Sequence, residues 1–235
     1  MNRFRIIITN YNAVKYINKC LDSAVAQDYP NFDVVVVDDC STDGTWDIIQ
    51  QYKVYSIRHK KNICCGVVSI KEGMNYLPMN KDDIVVLLSG DDYLNDDRVL
   101  ATLNEAYTDD IWMTYGQFVP ISGGYPAYCK PIPDTRTYRK EPVWYASHLI
   151  TFRRWLWDKI DDNDFKYKND YTHYATDAAM LFPMIEMCGK KHMKFIEKIL
   201  YVYNDMNPEC VYKILPEENL REAMSFRKKP IYKEL

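Results

Sequence analysis

Short runs of apolar, β-branched residues alternate with apolar positions at helical spacing through the first 107 residues. Arg5–Thr9, Phe32–Val37, Val54–Arg58 and Ile84–Leu88 have the length and composition of buried strands. Between them, Val14–Ala26 carries Val14, Ile17, Leu21, Ala24 and Val25 on one helical face. Asp43–Tyr52 and Val68–Leu77 read as helices, the second stopping before Pro78, and another is predicted from Asp96 to Tyr107. This β-α-β-α-β-α-β succession predicts an α/β fold with a mostly parallel sheet covered by helices on both faces. In such sheets ligands bind beyond the carboxyl ends of the strands. The polar pairs Thr9-Asn10, Asp38-Asp39 and Asp91-Asp92 all fall there.

The second half is less regular. Trp112–Val119, His148–Phe152 and Phe195–Tyr203 read as strands, and Arg153–Ile160, Thr176–Cys188 and Glu217–Arg227 as helices, with Pro183 expected to limit or kink the second. Pro120–Pro142 holds five prolines and two adjacent glycines, which predicts a long loop or small lid. Neither a repeat nor a clean linker divides the 235 residues, so one unit spanning 1–235 is expected.

A hydrophobic content of 47% supplies a sizeable core, and a formal net charge of −3 argues against a nucleic-acid partner. No stretch reaches the roughly 18–20 apolar residues needed to span a bilayer. Phe4–Thr9 is too short for a signal peptide, and the seven scattered cysteines lack a C-x-x-C pair. They read as thiols of a reducing compartment, which predicts a cytoplasmic location.

Two clusters carry candidate chemistry. Asp38-Asp39-Cys40-Ser41-Thr42-Asp43-Gly44-Thr45 links a buried strand to a helix. Its hydroxyls and Asp43 can cap that helix, while a strand-tip carboxylate can accept hydrogen bonds from a base or ribose. Asp91 and Asp92 repel one another, and a hard cation beside a diphosphate relieves that cost, which suits Mg²⁺ or Mn²⁺. Taken alone, either cluster could equally be a solvated turn.

Together with Thr9-Asn10-Tyr11-Asn12 and Leu88-Ser89-Gly90-Asp91-Asp92-Tyr93-Leu94, the eight-residue block from Asp38 resembles glycosyltransferase family 2, with its GT-A fold, over roughly residues 4–107. A weaker likeness continues through His148–Arg154 and Thr176-Asp177. The resemblance implies a metal-dependent, inverting transfer of one sugar from a nucleotide-sugar donor, usually a UDP-sugar, to a hydroxyl of a carbohydrate acceptor. It implies a donor half over 1–110 and an acceptor half over 111–235. Thr9 and Asp39 would contact the nucleobase with Tyr11 close by, in a donor-binding turn that includes Asn10 and Asn12. Asp91 and Asp92 would form the metal-diphosphate motif, with Asp92 the direct ligand, and Asp177 would be the catalytic base. Lys71 is a candidate for the diphosphate, and His148 and Trp144 for the acceptor side. Of the aromatic residues in that half (Trp144, Tyr145, Trp155, Trp157, Tyr171, Tyr174), one or two are expected to contact sugar and the rest to be core.

The chain also departs from the family pattern. Ser89 stands where an acid is common, Thr176 precedes Asp177 where glutamate is common, and Asn62, Gly66, Lys71 and Gly73 replace the usual asparagine-glycine motifs at altered spacing. Arg154-Trp155 precedes Asp177 and has Thr151 where the processive synthases carry glutamine, so it is read as coincidence. Thr9–Val14 contains no glycine, which excludes the phosphate loop of a nucleotidyltransferase, and no G-x-G-x-x-G marks a dinucleotide oxidoreductase. The remaining alternative is a catalytically silent sugar-binding protein on the same fold.

Overall fold

The computed structural model describes residues 1–124 and 129–235. Strands β1 (Phe4–Asn10), β2 (Phe32–Asp38), β3 (Tyr55–Arg58) and β4 (Ile84–Ser89) lie parallel in the order β3-β2-β1-β4. Helices α1 (Ile17–Val25), α2 (Thr45–Ile49) and α3 (Gly66–Asn75) connect them. Alternation along β1 serves two cores. Phe4, Ile6 and Ile8 pack with Ile17, Leu21, Val34 and Val36 on one face, and Ile7 packs with Val67, Ile70 and Met74 on the other. Arg5 shares the face of Ile7 yet is 1% exposed, because its guanidinium bonds the carbonyls of Met74, Leu77 and Pro78 behind α3 and the carboxylate of Asp33. That solves the cost of burying a charge in a strand the sequence presents as apolar.

Beyond β4 the sheet becomes mixed. After β5 (Tyr93–Leu94) and α4 (Val99–Ala106) come β6 (Met113–Pro120) and β7 (Ser147–Arg153), which inserts antiparallel between β4 and β6. The strand β10 (Met193–Tyr203) runs parallel to β6 and antiparallel to β5, giving eight strands ordered β3-β2-β1-β4-β7-β6-β10-β5. Because β7 runs against β4, its first residues, Ser147 and His148, lie past the tip of β4. Likewise β5 pairs Leu94 with Tyr201, which draws the far end of β10 to the Asp91-Asp92 turn.

Every predicted strand and helix has a counterpart, with ends that differ by at most about three residues in either direction. Val14–Tyr16 form a turn ahead of α1, and α2 is confined to Thr45–Ile49. Gly44 holds the cap position of the latter, and Asp43 just before it accepts from the Thr45 amide at 3.0 Å. The helix α6 (Thr176–Cys188) continues through Pro183, buried on every side between α5 (Arg154–Asp158) and α8 (Pro216–Phe226). The expected Pro120–Pro142 loop contains a 3-10 turn at Tyr138–Lys140, and its residues 125–128 lie outside the described residues. The hairpin β8 (Lys166–Tyr167)–β9 (Asp170–Tyr171) and the short α7 (Val211–Ile214) carry too few residues to show a period. Among the described residues no helix is long and apolar enough to cross a membrane.

Candidate active site

The carboxyl ends of β1, β2 and β4, the start of β7 and α6, and the turn after β10 enclose a crevice of about 800 Å³. It brings together Thr9, Asn10, Tyr11, Asp39, Asp91, Asp92, Trp144, His148 and Asp177, which the sequence scatters over 169 positions.

At the donor end, the two aspartates closing β2 do different work. Asp38 is fully buried and accepts from Asn10 Nδ2 at 2.8 Å, Ser41 N at 3.0 Å and Ser41 Oγ at 2.5 Å, so it braces the turn from inside. Asp39 lines the crevice. Its Oδ1 accepts from Ile63 N and pairs with His59 Nδ1, and its Oδ2 accepts from Cys64 N, all at 2.8 Å. A carboxylate has about four acceptor positions, so Oδ2 keeps one for a ligand. Burial would lower the pKa of His59, but hydrogen bonds to Asp39 and Glu72 outweigh it and raise the imidazole.

Tyr11 stands 46% exposed at the rim. Asn10 is held by Asp38, and among the described residues its buried Oδ1 has no hydrogen-bond partner. That oxygen explains Gly90 in the neighbouring turn, since a Cβ there would come within 2.2 Å of it. Asn12 does not line the crevice. At φ 47° it accepts from Thr42 N and donates its own amide to Ser41 Oγ, tying the β1 and β2 turns together. Lys71, considered for the diphosphate, is also not among the lining residues; on α3 it pairs with Asp162 at 3.1 Å.

The acidic turn after β4 is asymmetric. Asp92 is 2% exposed, accepting from Tyr201 Oη at 2.5 Å and from Asn204 N at 2.6 Å. Burial first, then the charge of Asp91, push its carboxyl up to about 8, against the pull of the Tyr201 hydrogen bond. Asp91 accepts from Asn207 Nδ2 through Oδ2 at 2.8 Å, and among the described residues no nitrogen or hydroxyl donates to its Oδ1. The turn thus has an open oxygen on Asp91 beside a carboxyl short of neutralising charge. This donor set fits Mg²⁺ or Mn²⁺, which take one or two carboxylates and complete their shell from phosphate and water. Among the described residues no cage of three or more His, Cys, Asp or Glu forms.

At the acceptor end, Asp177 occupies the first turn of α6 and opens into the crevice. Among the described residues its carboxylate takes no hydrogen bond or ion pair, and surrounding protein raises its pKa against the opposing influence of His148. His148 is stacked on Tyr201 with centroids 4.5 Å apart, and burial lowers its pKa although Asp177 and Asp91 favour its charged form. Trp144 packs edge-on against Phe182 and keeps one side on the crevice. Of the six aromatic candidates only Trp144 and Tyr174 line it; Trp157 is stacked between Phe152 and Phe165 in the core.

The structure adds His173, Asn207, Glu209, Cys210, Asn219 and Ala223. His173 sits just ahead of the Thr176-Asp177 step, and the others follow it in turns and a helix whose local pattern carries no chemical signal.

The profile of "Glycosyl transferase family 2" matches residues 5–183. Over 218 residues the chain is 34% identical to the poly(ribitol-phosphate) beta-N-acetylglucosaminyltransferase TarS of Staphylococcus aureus, covering 86% of this chain and 35% of that protein. The chain therefore spans about a third of the length of this curated relative. Among solved structures, residues 1–349 of S. aureus TarS in complex with UDP-GlcNAc superpose with a TM-score of 0.69 at 22% identity, covering 96% of this chain and 65% of that one. A mannosyltransferase from Pyrobaculum calidifontis, in complex with GDP-Man and Mn²⁺, gives 0.66 at 17% identity, over 98% of this chain and 66% of its own. These likenesses show the shared GT-A fold.

Proposed function

The chain belongs to glycosyl transferase family 2, and from that membership we propose that it transfers a single sugar, with inversion, from a UDP-sugar to a hydroxyl of a carbohydrate acceptor. One observation carries the reading: Asp39, Asp91 and Asp177 open into the same crevice, which has room for a nucleotide sugar. Such a donor has three parts that need different partners, and each carboxylate suits one of them.

The free acceptor position on Asp39 suits the N3–H of uracil, and Tyr11 stands at the rim where a base would lie. Asp91, steadied by Asn207, would hold Mg²⁺ or Mn²⁺ with Asp92 behind it. Bound there, the ion would supply positive charge to the diphosphate as it leaves.

Asp177 is the base. Among the described residues it has no competing hydrogen-bond or ion-pair partner, and its raised pKa brings it closer to the range in which a carboxylate can take a proton from an acceptor hydroxyl. The influence of His148 opposes that rise. One base and no assigned nucleophile correspond to a single displacement, hence inversion. Trp144 and Tyr174 offer ring faces for the acceptor.

UDP-GlcNAc, held by TarS in its solved complex, is the first donor to try in a panel of UDP- and GDP-sugars. The test is calorimetry of UDP with Mn²⁺, followed by release of UDP from each sugar in the presence of glycan acceptors. Tight UDP binding with acceptor-dependent release from one donor is expected. Binding without release across the panel would favour a silent sugar-nucleotide binder.

A further inference from the structure

The family match ends at residue 183, yet the crevice is finished by residues beyond it. Glu222, in the middle of α8 beside the crevice-lining Asn219 and Ala223, is 5% exposed and turns its carboxylate to the segment that leads into α6. One oxygen, Oε2, accepts from three donors of the segment that leads into α6: Thr172 Oγ1, His173 N at 3.1 Å and Tyr174 N at 3.0 Å. One turn earlier on α8, Asn219 Nδ2 donates to the Tyr174 carbonyl at 2.6 Å. The segment is also held from the donor side, where His173 Nδ1 meets the Cys64 carbonyl at 2.9 Å and Cys65 Sγ approaches that of Thr172 at 3.4 Å. A Cβ on Gly66 would come within 2.8 Å of Thr176 Oγ1, so α3 and α6 start in contact.

We propose that Glu222 is a positioning residue for Asp177, fixing the 172–176 turn so that the carboxylate of Asp177 points into the crevice. This rests on the reading of Asp177 as the base. A buried carboxylate that gathers two main-chain amides and a hydroxyl defines where a turn sits more sharply than packing does, because moving the turn strands a charge without donors. Among the described residues Asp177 has no hydrogen-bond or ion-pair partner of its own, so its direction is inherited from the turn before it. Surface coverage alone would not require a buried charge in α8, and a leucine would pack the same space.

His148 reports the position of Asp177 without any knowledge of the natural acceptor, because Asp177 favours its protonation; Asp91 does so as well, and Tyr201 and Tyr203 stack on its ring. The experiment is an NMR titration of the His148 ring in the full chain and in Asp177→Asn, Glu222→Gln, Thr172→Val and Thr172→Ser, with UDP affinity measured on each preparation. Asp177→Asn is expected to lower the His148 midpoint. Glu222→Gln and Thr172→Val should move it in the same direction while UDP affinity stays within about twofold, and Thr172→Ser, which keeps the hydroxyl, should restore it. A His148 titration that moves in Asp177→Asn but not in Glu222→Gln or Thr172→Val overturns the proposal. So does one that moves in none of them, since Asp177 then does not face His148. Failure of the base reading is separate: it is near-normal turnover in Asp177→Asn, whatever the titration does.

Discussion

Asn207 donates its side-chain amide to Oδ2 of Asp91 at 2.8 Å, so one oxygen of the acidic turn is fixed by a residue 116 positions later. The other oxygen of Asp91 is the one available to a cation, whereas both oxygens of Asp92 already accept hydrogen bonds. Mn²⁺ is therefore expected to raise UDP affinity by about 10- to 100-fold in the unaltered protein, the worth of one or two charge-assisted contacts. Asp91→Asn should abolish that gain and leave uridine binding unchanged. Equal UDP affinity in Mn²⁺ and in EDTA would remove the metal from the reaction.

The second expectation concerns Asp39, the carboxylate proposed to bind the base. Asp39→Asn keeps the shape of the side chain but gives up its charge, and its amide can no longer accept on both sides. UDP affinity should fall by the roughly 1.5–3 kcal/mol of a hydrogen bond to a charged group. Thermal stability should fall too, because the amides of Ile63 and Cys64 depend on the same carboxylate. Calorimetry giving unchanged UDP affinity in the folded variant would rule out contact with uracil.

His59 makes the same corner pH-sensitive. Its folded pKa is raised above 6.5 by Asp39 and Glu72 against the lowering effect of burial. A group raised on folding contributes stability that is complete below the unfolded value and disappears as pH climbs through the folded one. The difference in urea midpoint between the unaltered protein and His59→Gln should therefore be largest near about pH 5.5–6 and shrink towards about pH 8. A difference that grows with pH would mean that His59 is held neutral instead.

The parts of the fold set by hydrophobic period were legible in the chain. Ile6 and Ile8 against Ile7 already separate the two faces of β1, and the tips of β1, β2 and β4 place Thr9, Asp39 and Asp91 together. What a linear pattern does not carry is direction at the level of single side chains. Asp38 and Asp39 are chemically identical neighbours, and only the pleat decides that one turns inward to Asn10 while the other faces the ligand. Lys71 is two residues beyond the crevice-lining Ser69, which turns it by roughly 200° to the side of α3 that meets Asp162. Long-range closure was equally hidden. Tyr201, Asn204 and Asn207 reach the acidic turn only because β10 pairs with the two residues of β5, too short a strand to show any period.

The sharpest expectation is for Asp177. In Asp177→Asn the side chain keeps its size but cannot accept the acceptor's proton, so the transfer rate should drop by about 10²–10⁴-fold. Because the carboxylate takes no hydrogen bond or ion pair among the described residues, the substitution breaks no contact, and the melting temperature and UDP affinity should barely change. An aspartate serving only the N-terminus of α6 predicts the opposite pattern, a loss of about 0.3–1 kcal/mol in stability with turnover spared. The two roles are separated by measuring melting temperature, UDP affinity and transfer rate on one preparation of the variant. Near-normal transfer would eliminate Asp177 as the base. The search would then pass to Glu209, the other carboxylate lining the crevice beyond β10, since Asp158 and Asp162 are engaged with Arg154 and Lys71 outside it.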